Sequence, residues 1–493
     1  MSETSPGVPV DTLGNVAEYH VENFGCRASR SDGEAIAASM RHGGLFPADQ
    51  DDAAHIIVVN TCSVTAEADR QARAYVRRVR RQNPQARVIV TGCYAQRAPE
   101  ELAALPEVDA VIGNSHKARV AEVALQWAAP AAAPADFVPL GAILHDDGFA
   151  HTELAALPFA ADSAQTRPNL KVQDGCANRC SFCIIPTTRG PSRSLPLAAC
   201  LDNVRRFVDR GGRELVLSGI NLGRWGRDLQ PAERFEDLVA AILTGTSLPR
   251  LRLSSIEPMD WSAGLLALYR EFAVSDLCPE SCTRRPSLCR HAHLPLQSGS
   301  DTILRWMHRR YRPWHYAERL AQIRSLLPDA AIGADVMIGF PGETDALFRE
   351  SYDFIAAQPF TYMHLFPFSA RPGTPAWDLH RQNPVPARAV HERMQALREL
   401  VAEKSIAFRS GFVGRTLSAV TLSEDAEPAA SRENAGVSKA GAPGLGAQAV
   451  TDNFLKLALE EEDGGPVPAN RLVTARITAL TAEGLRGTVD SIA

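Results

Sequence analysis

Short apolar runs alternate with helical patterns along much of this chain, and this alternation limits the folds that it can adopt. The runs in AEYHVENFGC, HIIVVNTC and ARVIVTGC are each followed by a stretch with helical periodicity. Strands that alternate with helices pair in parallel and place the helices on the faces of the sheet. The pattern therefore predicts a parallel α/β domain over residues 17–128.

The alternation resumes on a larger scale over residues 169–405. Five further apolar runs read as strands with helical patterns between them: ELVLSGIN, RLRLSSIE, HAHLPLQS, AIGADVMIGF and YMHLFPFS. Repeated βα units of this length predict a full or partial β/α barrel. The interval 129–168, which begins with the Ala- and Pro-rich QWAAPAAAPADF, has little periodicity and is predicted to be a linker.

Residues 411–493 have a different character. Short apolar runs such as TLSAVTLS and NFLKLAL predict a small all-β module. The stretch at about 425–450 is polar and rich in Gly, Ala and Pro, so we expect a flexible loop insertion there. The predicted fold class is α/β, with a parallel N-terminal domain, a central barrel and a C-terminal OB-like module.

Composition sets the cellular context. The chain has 493 residues, 45% hydrophobic and 22% charged, with a net charge of −5, so any nucleic-acid footprint must be local. Neither a signal peptide nor a long apolar membrane segment is evident, which favours a cytoplasmic protein without a membrane partner. Ten cysteines in such a protein are more often metal ligands or catalysts than disulfides.

Three cysteines crowd into the segment DGCANRCSFCIIPTTRGPSRS. Cys176, Cys180 and Cys183 have a CxxxCxxC spacing with no fourth ligand beside them. A structural zinc site needs four ligands, whereas three thiolates on an iron–sulfur cubane leave one iron open to bind a substrate. The segment stands at the head of the predicted barrel, which favours the cluster over a zinc loop or an inert group of thiols.

Three more cysteines lie far apart in the sequence. Cys26, Cys62 and Cys93 each follow an apolar run and precede a helical pattern. Because the carboxyl ends of parallel strands share one edge of a sheet, the three thiols can converge on a second cluster. The alternative is three buried core cysteines, since unpaired cysteine is often buried.

These cysteines and their flanking motifs resemble the radical S-adenosylmethionine (SAM) methylthiotransferases. The resemblance covers about residues 17–490 and rests on the following segments: VVNTCSVT, VTGCYAQ, DGCANRCSFCIIPTTRGPSRS, LSGINLGRWGRDL, HLPLQSGSDTILRWMHRRY and DVMIGFPGET. It implies a methylthiotransferase N-terminal domain, a radical SAM barrel and a C-terminal TRAM domain that binds RNA.

The resemblance also implies cofactors and a reaction. Cys26, Cys62 and Cys93 would hold an auxiliary [4Fe–4S] cluster, and Cys176, Cys180 and Cys183 would be catalytic, holding the [4Fe–4S] cluster that cleaves SAM. One SAM would donate a methyl group to sulfur on the auxiliary cluster, and a second would supply the radical that removes the C2 hydrogen of an adenine. An electron donor such as a flavodoxin or ferredoxin would be needed, and the sulfur donor is unknown.

The family has three branches, which modify threonylcarbamoyladenosine in tRNA, isopentenyladenosine in tRNA, or an aspartate of a ribosomal protein. TRGPSRS, NTCSVTAEADRQAR and GINLGRWGRDL are most similar to the first branch. We therefore expect methylthiolation of threonylcarbamoyladenosine at position 37, in the anticodon loop of tRNA. A rival of another class is a non-catalytic, zinc-stabilised RNA-binding protein.

Several polar residues in or after the barrel strands are candidates to bind SAM, although satisfying loop backbone groups would explain them equally well. They are Glu214, Asn221, Glu257, Gln297 and Asp335. The helix after Cys62 has an arginine stripe that is either a solvated face or a phosphate-contacting surface: Arg70, Arg73, Arg77 and Arg80.

The remaining cysteines match no zinc spacing. Cys278, Cys282 and Cys289 are interpreted as stray thiols of a surface insertion, and Cys200 as a residue that packs a helix.

Overall fold

The computed structural model describes residues 17–128, 138–149, 166–274, 286–423, 447–460 and 467–492. Much of the predicted linker 129–168, most of the insertion at about 425–450, and both Cys278 and Cys282 lie outside them. The chain packs as two compact units: the first within residues 1–160, 173–195 and 369–378, the second within 161–172, 196–368 and 379–493. The domain boundaries predicted from the sequence stay a prediction.

The first unit contains a six-stranded sheet. Its strands are β1 (Glu18–Asn23), β2 (Phe46–Pro47), β3 (Ile56–Thr61), β4 (Arg87–Gly92), β5 (Ala110–Gly113) and β6 (Ala142–Leu144). They run in the order β2-β1-β3-β4-β5-β6, and every neighbouring pair is parallel. The predicted parallel α/β domain is confirmed.

Helices cover both faces of this sheet. They are α1 (Arg27–His42), α2 (Ala66–Gln82), α3 (Cys93–Arg97), α4 (Pro99–Ala103) and α5 (Arg119–Ala128). Val58 and its neighbours pack against α1 and α5, whereas Val59 packs with Val76 and Val79 of α2. A strand buried on both faces requires an unbroken apolar run, which is why IIVV reads so clearly in the sequence.

The barrel strands form two sheets. The first, ordered β11-β10-β9-β7-β8, contains β7 (Asn169–Asp174), β8 (Arg193–Ser194), β9 (Glu214–Gly219), β10 (Arg250–Leu253) and β11 (Ser287–Leu288). The second contains β12 (His291–His293), β13 (Ala331–Ile338) and β14 (Tyr362–Pro367), which are parallel. A parallel bridge between Ser255 and His293 connects the two sheets. This arrangement is a partial β/α barrel, as predicted.

Nine helices follow in chain order within the described residues: α6 (Ile185–Arg189), α7 (Leu197–Asp209), α8 (Phe235–Gly245), α9 (Ala263–Phe272), α10 (Asp301–Trp306), α11 (Pro313–Leu326), α12 (Asp345–Ala357), α13 (Pro375–Gln382) and α14 (Ala387–Ser410). In the parts of the chain that the structure describes, none of the helices is long and apolar enough to cross a bilayer.

The end of the second unit is a closed five-stranded barrel. Its strands are β15 (Thr416–Thr421), β16 (Gln448–Thr451), β17 (Lys456–Leu459), β18 (Leu472–Leu480) and β19 (Leu485–Ile492). They close in the order β15-β16-β17-β19-β18 around a core that includes Leu417, Leu457 and Ile477. The predicted small all-β module is confirmed.

A turn of this module is fixed to the amino-terminal end of the larger barrel. Asp452, between β16 and β17, accepts hydrogen bonds from Arg290 at 2.6 and 3.1 Å. Arg252 donates to the carbonyl groups of Thr451 and Asp452 at 3.0 and 3.1 Å. All three of these side chains are buried. We call this hydrogen-bonded group, which consists of Arg252, Arg290 and Asp452, the floor clamp.

Candidate functional site

Three cysteines of the first unit lie where adjacent strands end. Cys62 directly follows β3, Cys93 directly follows β4, and Cys26 follows β1 by three residues. Since β1, β3 and β4 are neighbours in the sheet, their carboxyl ends place the three cysteines at one edge. Cys62 and Cys93 are buried, whereas Cys26 is exposed.

The loop that carries Cys26 packs closely on Cys62. A Cβ atom added at Gly25 would lie 2.3 Å from the Cβ of Cys62 and 2.7 Å from its sulfur. Real Cβ atoms do not approach so closely, so only glycine allows this contact. In the sequence NFGC, Gly25 therefore allows the loop to place Cys26 beside Cys62.

The electrostatics of the three thiols favour a metal group among them. Burial, followed by the neighbouring Cys26 and Cys93, raises the pKa of Cys62 to about 12. Three adjacent thiolates repel one another, and a cationic metal centre removes that cost because thiolates are its ligands. The donor set fits an iron–sulfur cluster held by three cysteines, and that cluster stays a prediction.

The CxxxCxxC loop also belongs to the first unit. Its turns are closed by hydrogen bonds from the Cys176 N–H to the Gly190 carbonyl and from the Cys183 N–H to the Cys180 carbonyl, each 3.1 Å. The N–H of Asn178 donates to the Cys176 sulfur at 3.4 Å. Hydrogen bonds of this kind adjust the potential of iron–sulfur clusters. The three half-buried thiols have no fourth cysteine within the loop.

Arg189, at the end of α6, connects this loop with the edge that carries Cys26. Its guanidinium donates to Asp174 at 2.9 and 3.2 Å, to Asp32 at 3.0 Å and to Ser29 at 3.3 Å. Asp174 lies two residues before Cys176, and Ser29 and Asp32 lie on α1, which begins directly after Cys26. Arg189 is fully buried, so this cation supports both cysteine-bearing segments from inside the unit.

Asn114 provides a second connection between the two groups of cysteines. Its side-chain amide nitrogen lies 3.4 Å from the Cys93 sulfur and donates to the Thr188 carbonyl at 2.8 Å. Neither Asn114 nor Arg189 was predicted to take part in the site. The sequence did contain a pattern that could have indicated Asn114, because this residue ends the apolar run DAVIGN just as Cys62 and Cys93 end their apolar runs.

Four predicted SAM contacts lie in the second unit, in or beyond the barrel strands. Asn221 follows β9, Glu257 follows β10, Gln297 follows β12, and Asp335 lies within β13. The carboxyl edge of such a barrel is where ligands bind. Their role as SAM contacts stays a prediction.

Gln297 combines a strained backbone with a buried carboxamide oxygen that has no hydrogen-bond partner among the described residues. Its φ angle is +68°, which is strained for a residue with a Cβ atom. Its backbone is held on both sides, donating to the Asp335 carbonyl at 2.7 Å and accepting from the Met337 N–H at 2.9 Å. Its buried Oε1 has no hydrogen-bond partner among the described residues.

The two carboxylates are oriented by cationic or imidazole groups. Arg309 donates to the Glu257 carboxylate at 2.7 Å. Asp335 lies 3.2 Å from Nδ1 of His364 and 3.5 Å from Nε2 of His293. The second unit therefore contains the oriented carboxylates of Glu257 and Asp335 and the carboxamide of Gln297 near the carboxyl edge of the barrel.

Glu214 has a different environment, because it begins β9 rather than following it. Its carboxylate accepts from Arg167 at 2.7 Å and from Arg252 at 2.8 Å, with Arg250 at 3.7 Å. Burial alone would raise the pKa of Glu214, but the three arginines outweigh it and lower the pKa to about 2. As a SAM contact, Glu214 likewise stays a prediction.

The arginine stripe of α2 divides into two kinds of residue. Arg80 donates to Asp109 and to the Ala86 carbonyl, and Arg73 bonds to Tyr94, so these two support the local fold. Arg70 is exposed and pairs with Glu67, one turn earlier, and Arg77 is exposed. A phosphate-contacting role for the stripe stays a prediction.

Two other cysteines are buried in the second unit. Cys200 is a buried residue of α7, in agreement with its predicted role in packing a helix, and burial raises its pKa to about 12. Cys289 is buried as well, which corrects its interpretation as a stray thiol on the surface. It lies in the short connection between β11 and β12.

Comparison with known families gives two matches. Residues 18–113 match the uncharacterized protein family UPF0004, and residues 170–355 match the radical SAM superfamily. In fold, the chain is similar to the radical S-adenosylmethionine methyltransferase TsrM from Kitasatospora setae, with a TM-score of 0.50, 13% identity, and coverage of 74% of this chain and 78% of that one.

Curated relatives align over most of the chain. A threonylcarbamoyladenosine tRNA methylthiotransferase MtaB of Bacillus subtilis is 32% identical, covering 90% of this chain and 91% of that protein. The MtaB of Aquifex aeolicus is 34% identical, covering 82% and 92%. A tRNA-2-methylthio-N(6)-dimethylallyladenosine synthase of Novosphingobium aromaticivorans is 32% identical, covering 81% and 85%.

Proposed function

Because this chain belongs to the radical SAM methylthiotransferase family, we propose that it adds a methylthio group to C2 of N6-threonylcarbamoyladenosine at position 37 of tRNA. The observation that carries the proposal is the pair of three-cysteine groups in the first unit. One group lies on adjoining strand ends, and the other is in a CxxxCxxC loop. The names of the relatives from Bacillus and Aquifex support the substrate.

SAM and an iron–sulfur cluster follow from membership of the family. We assign the radical cluster to Cys176, Cys180 and Cys183, and an auxiliary [4Fe–4S] cluster to Cys26, Cys62 and Cys93. When bound, the radical cluster would supply the electron that cleaves SAM, and the auxiliary cluster would carry the sulfur that receives a methyl group. The electron would come from a flavodoxin or ferredoxin.

The side chains of the second unit would bind and orient SAM. Gln297 has a buried carboxamide oxygen to accept a hydrogen bond, and the Glu257 and Asp335 carboxylates can accept from an amine or from ribose hydroxyls. Asn221 offers a further amide, whereas Glu214 is enclosed by arginines. Arg309 and His364 hold the two carboxylates in place before SAM arrives.

The chemistry explains why a radical is required. The hydrogen on C2 of adenine is not acidic enough for a side-chain base to remove, so the cofactor performs the difficult step and the protein positions the base. An anticodon loop presents unstacked bases whose edges are accessible without opening a duplex. A cytoplasmic tRNA therefore suits this chemistry.

A second candidate substrate is N6-dimethylallyladenosine in tRNA. It is favoured by the 32% identity with the Novosphingobium synthase, which is close to the identity with the MtaB relatives. A third candidate substrate is an aspartate of a ribosomal protein.

A matched pair of cysteine variants tests the cluster assignments. We expect Cys180→Ala to abolish formation of 5′-deoxyadenosine and to retain about half of the roughly eight irons that two [4Fe–4S] clusters contain. Cys200→Ala, which removes a buried cysteine outside both groups, should retain the iron and the cleavage. Deoxyadenosine formed by the Cys180 variant would contradict the assignment, and zinc without iron in the native protein would favour the zinc-stabilised rival.

The substrate is tested by mass spectrometry of nucleosides from the tRNA of cells that lack this gene. We expect 2-methylthio-N6-threonylcarbamoyladenosine to disappear and its precursor to accumulate. Complementation with the Cys200 variant should restore the modification, and complementation with the Cys180 variant should not. Loss of the dimethylallyl derivative instead would establish the second candidate, and unchanged tRNA would direct attention to the ribosomal protein.

A further inference from the structure

The segment between α10 and α11 exposes two tryptophans among basic residues. Trp306 is 41% exposed and Trp314 is 56% exposed. His308, Arg310 and His315 are exposed as well. We call these five residues the rim patch. Exposed aromatic side chains that are grouped with cations mark a binding surface rather than a packing defect.

Three contacts place Trp306 and the two residues Arg309 and Tyr311, which lie between the tryptophans in the chain, at the carboxyl edge of the barrel strands. Arg309 is bound to Glu257, which follows β10, and the Tyr311 hydroxyl donates to the Leu296 carbonyl, beyond β12, at 2.7 Å. A Cβ atom added at Gly342, in the loop after β13, would lie 3.2 Å from a ring carbon of Trp306. Trp306 therefore borders this edge, and the segment that carries the rest of the rim patch is fixed to the loops of Glu257 and Gln297 through Arg309 and Tyr311.

The charge of this surface is positive. Arg305 and Arg312 both approach one carboxylate, that of Asp301, at 2.9 and 3.4 Å. Among the described residues, Arg310 has no carboxylate within ion-pairing distance. The nearest acidic residue further along α11 is Glu318, one turn beyond Trp314.

We propose that the rim patch binds the anticodon loop of the RNA substrate, with Trp306 and Trp314 stacking on unpaired bases and Arg310 contacting a phosphate. The inference rests on the proposed function and adds to it an RNA-binding surface outside the C-terminal module. Single-stranded RNA is recognised by aromatic side chains that stack on bases and by arginines that contact the backbone. The core of a protein interface is depleted of charge, whereas here cations alternate with the aromatic residues.

Binding of an anticodon stem-loop RNA that carries threonylcarbamoyladenosine, measured by fluorescence anisotropy, tests the proposal. We expect Trp314→Ala and Trp306→Ala each to weaken binding by about 5- to 150-fold, the range for loss of one stacked base. Trp314→Phe should bind nearly as well as the native protein, because it keeps a stacking face. Arg310→Ala should reduce the slope of log K against log salt by about 0.7, the value for one phosphate contact on a single strand.

Two exposed residues elsewhere serve as matched controls. Phe46→Ala removes an aromatic side chain that is 50% exposed in β2. Arg388→Ala removes an arginine of α14 that pairs only with Glu392, one turn on, in the described structure. Neither should change the affinity or the salt slope, and every variant should melt at the native temperature.

The outcomes separate this inference from the proposed function. If the native protein binds the RNA and the tryptophan and arginine variants bind equally well, the rim patch is not an RNA surface. If the native protein binds no tRNA stem-loop at all, the proposed function itself is contradicted, and the inference that rests on it is overturned with it. If the same variants weaken binding of a ribosomal protein and not of RNA, the patch recognises a protein and the inference is overturned.

Discussion

Arg189 holds together segments of the first unit that are distant in the chain. Replacing it with Met leaves Asp174 and Asp32 buried, with Lys117, 2.7 Å from Asp32, as the remaining cation nearby. Breaking a buried ion pair from one side costs about 3–5 kcal/mol, so we expect Arg189→Met to lower the free energy of unfolding by that amount. Urea denaturation of the iron-free protein measures it.

A matched control lies at the opposite end of the same sheet. Arg80 pairs with Asp109 at 2.6 Å, just before β5 begins, and is more exposed than Arg189. Arg80→Met should therefore cost less, about 1 kcal/mol. Equal urea midpoints for the native protein and the Arg189 variant would contradict the stabilising role of the buried guanidinium.

Glu214 gives a prediction about acid stability. Its pKa of about 2 is below the ordinary value of 4.5, because the attraction of three arginines exceeds the cost of burial. A group with a lowered pKa in the folded state stabilises the fold above its ordinary pKa, and that stabilisation is lost as the pH falls toward the folded value. We expect about 3 kcal/mol to be lost between pH 4.5 and pH 2.

The control for this prediction is Glu214→Gln, which cannot titrate. Its free energy of unfolding should vary less steeply with pH between 4.5 and 2 than that of the native protein. Parallel curves for the two proteins would show that other carboxylates produce the acid dependence.

Local patterns account for part of the site at this scale. Cys26, Cys62 and Cys93 could be grouped from the sequence because strand ends in a parallel sheet share an edge. The partners of Arg189 could not be found, since Asp32 lies 157 residues away and Ser29 lies 160 residues away. The arginines around Glu214 are similarly remote, from 36 to 47 residues away.

At the level of elements, the CxxxCxxC loop depends on the conformation of Gly175. Its φ angle is +72°, and an added Cβ would lie 2.0 Å from the Pro191 carbonyl oxygen. We expect Gly175→Ala to displace the loop, so that the protein loses the iron assigned to Cys176, Cys180 and Cys183 and retains the rest. Iron analysis and the yield of 5′-deoxyadenosine measure the effect.

Gly211→Ala is the matched control. Gly211 has a similar φ of +85°, but an added Cβ would meet nothing within 4 Å. It therefore imposes only the backbone strain of an L residue, about 1 kcal/mol. Equal iron content in both variants would show that the close approach to Pro191 does not determine the shape of the loop.

The boundaries of elements follow from backbone chemistry that apolar patterns do not show. HAHLPLQS was predicted as one strand, but β12 comprises only His291–His293. Pro295 cannot donate to a ladder, so the regular strand ends at His293, and pairing with β13 continues only through an isolated parallel bridge between Gln297 and Val336. The strand was correctly placed in the chain, and its length was wrong.

At the scale of the whole molecule, the floor clamp joins the C-terminal module to the barrel. Asp452→Ala leaves Arg290 buried without that carboxylate, and we expect the free energy of unfolding to fall by about 3–5 kcal/mol. Glu483→Ala in the same module removes an exposed pair with Lys456, 3.3 Å away, and should cost about 0–1 kcal/mol. Similar thermal unfolding of the two variants would contradict a stabilising role for the clamp.

The floor clamp also has a consequence for the order in which the nascent chain folds. Arg290 and Asp452 are 162 residues apart, so the arginine leaves the ribosome long before its carboxylate partner exists. At about 5–20 residues per second, the interval is roughly 8–30 s. Throughout that time Arg290 lacks the carboxylate of the last module, so the floor clamp can form only when synthesis of the chain is nearly complete.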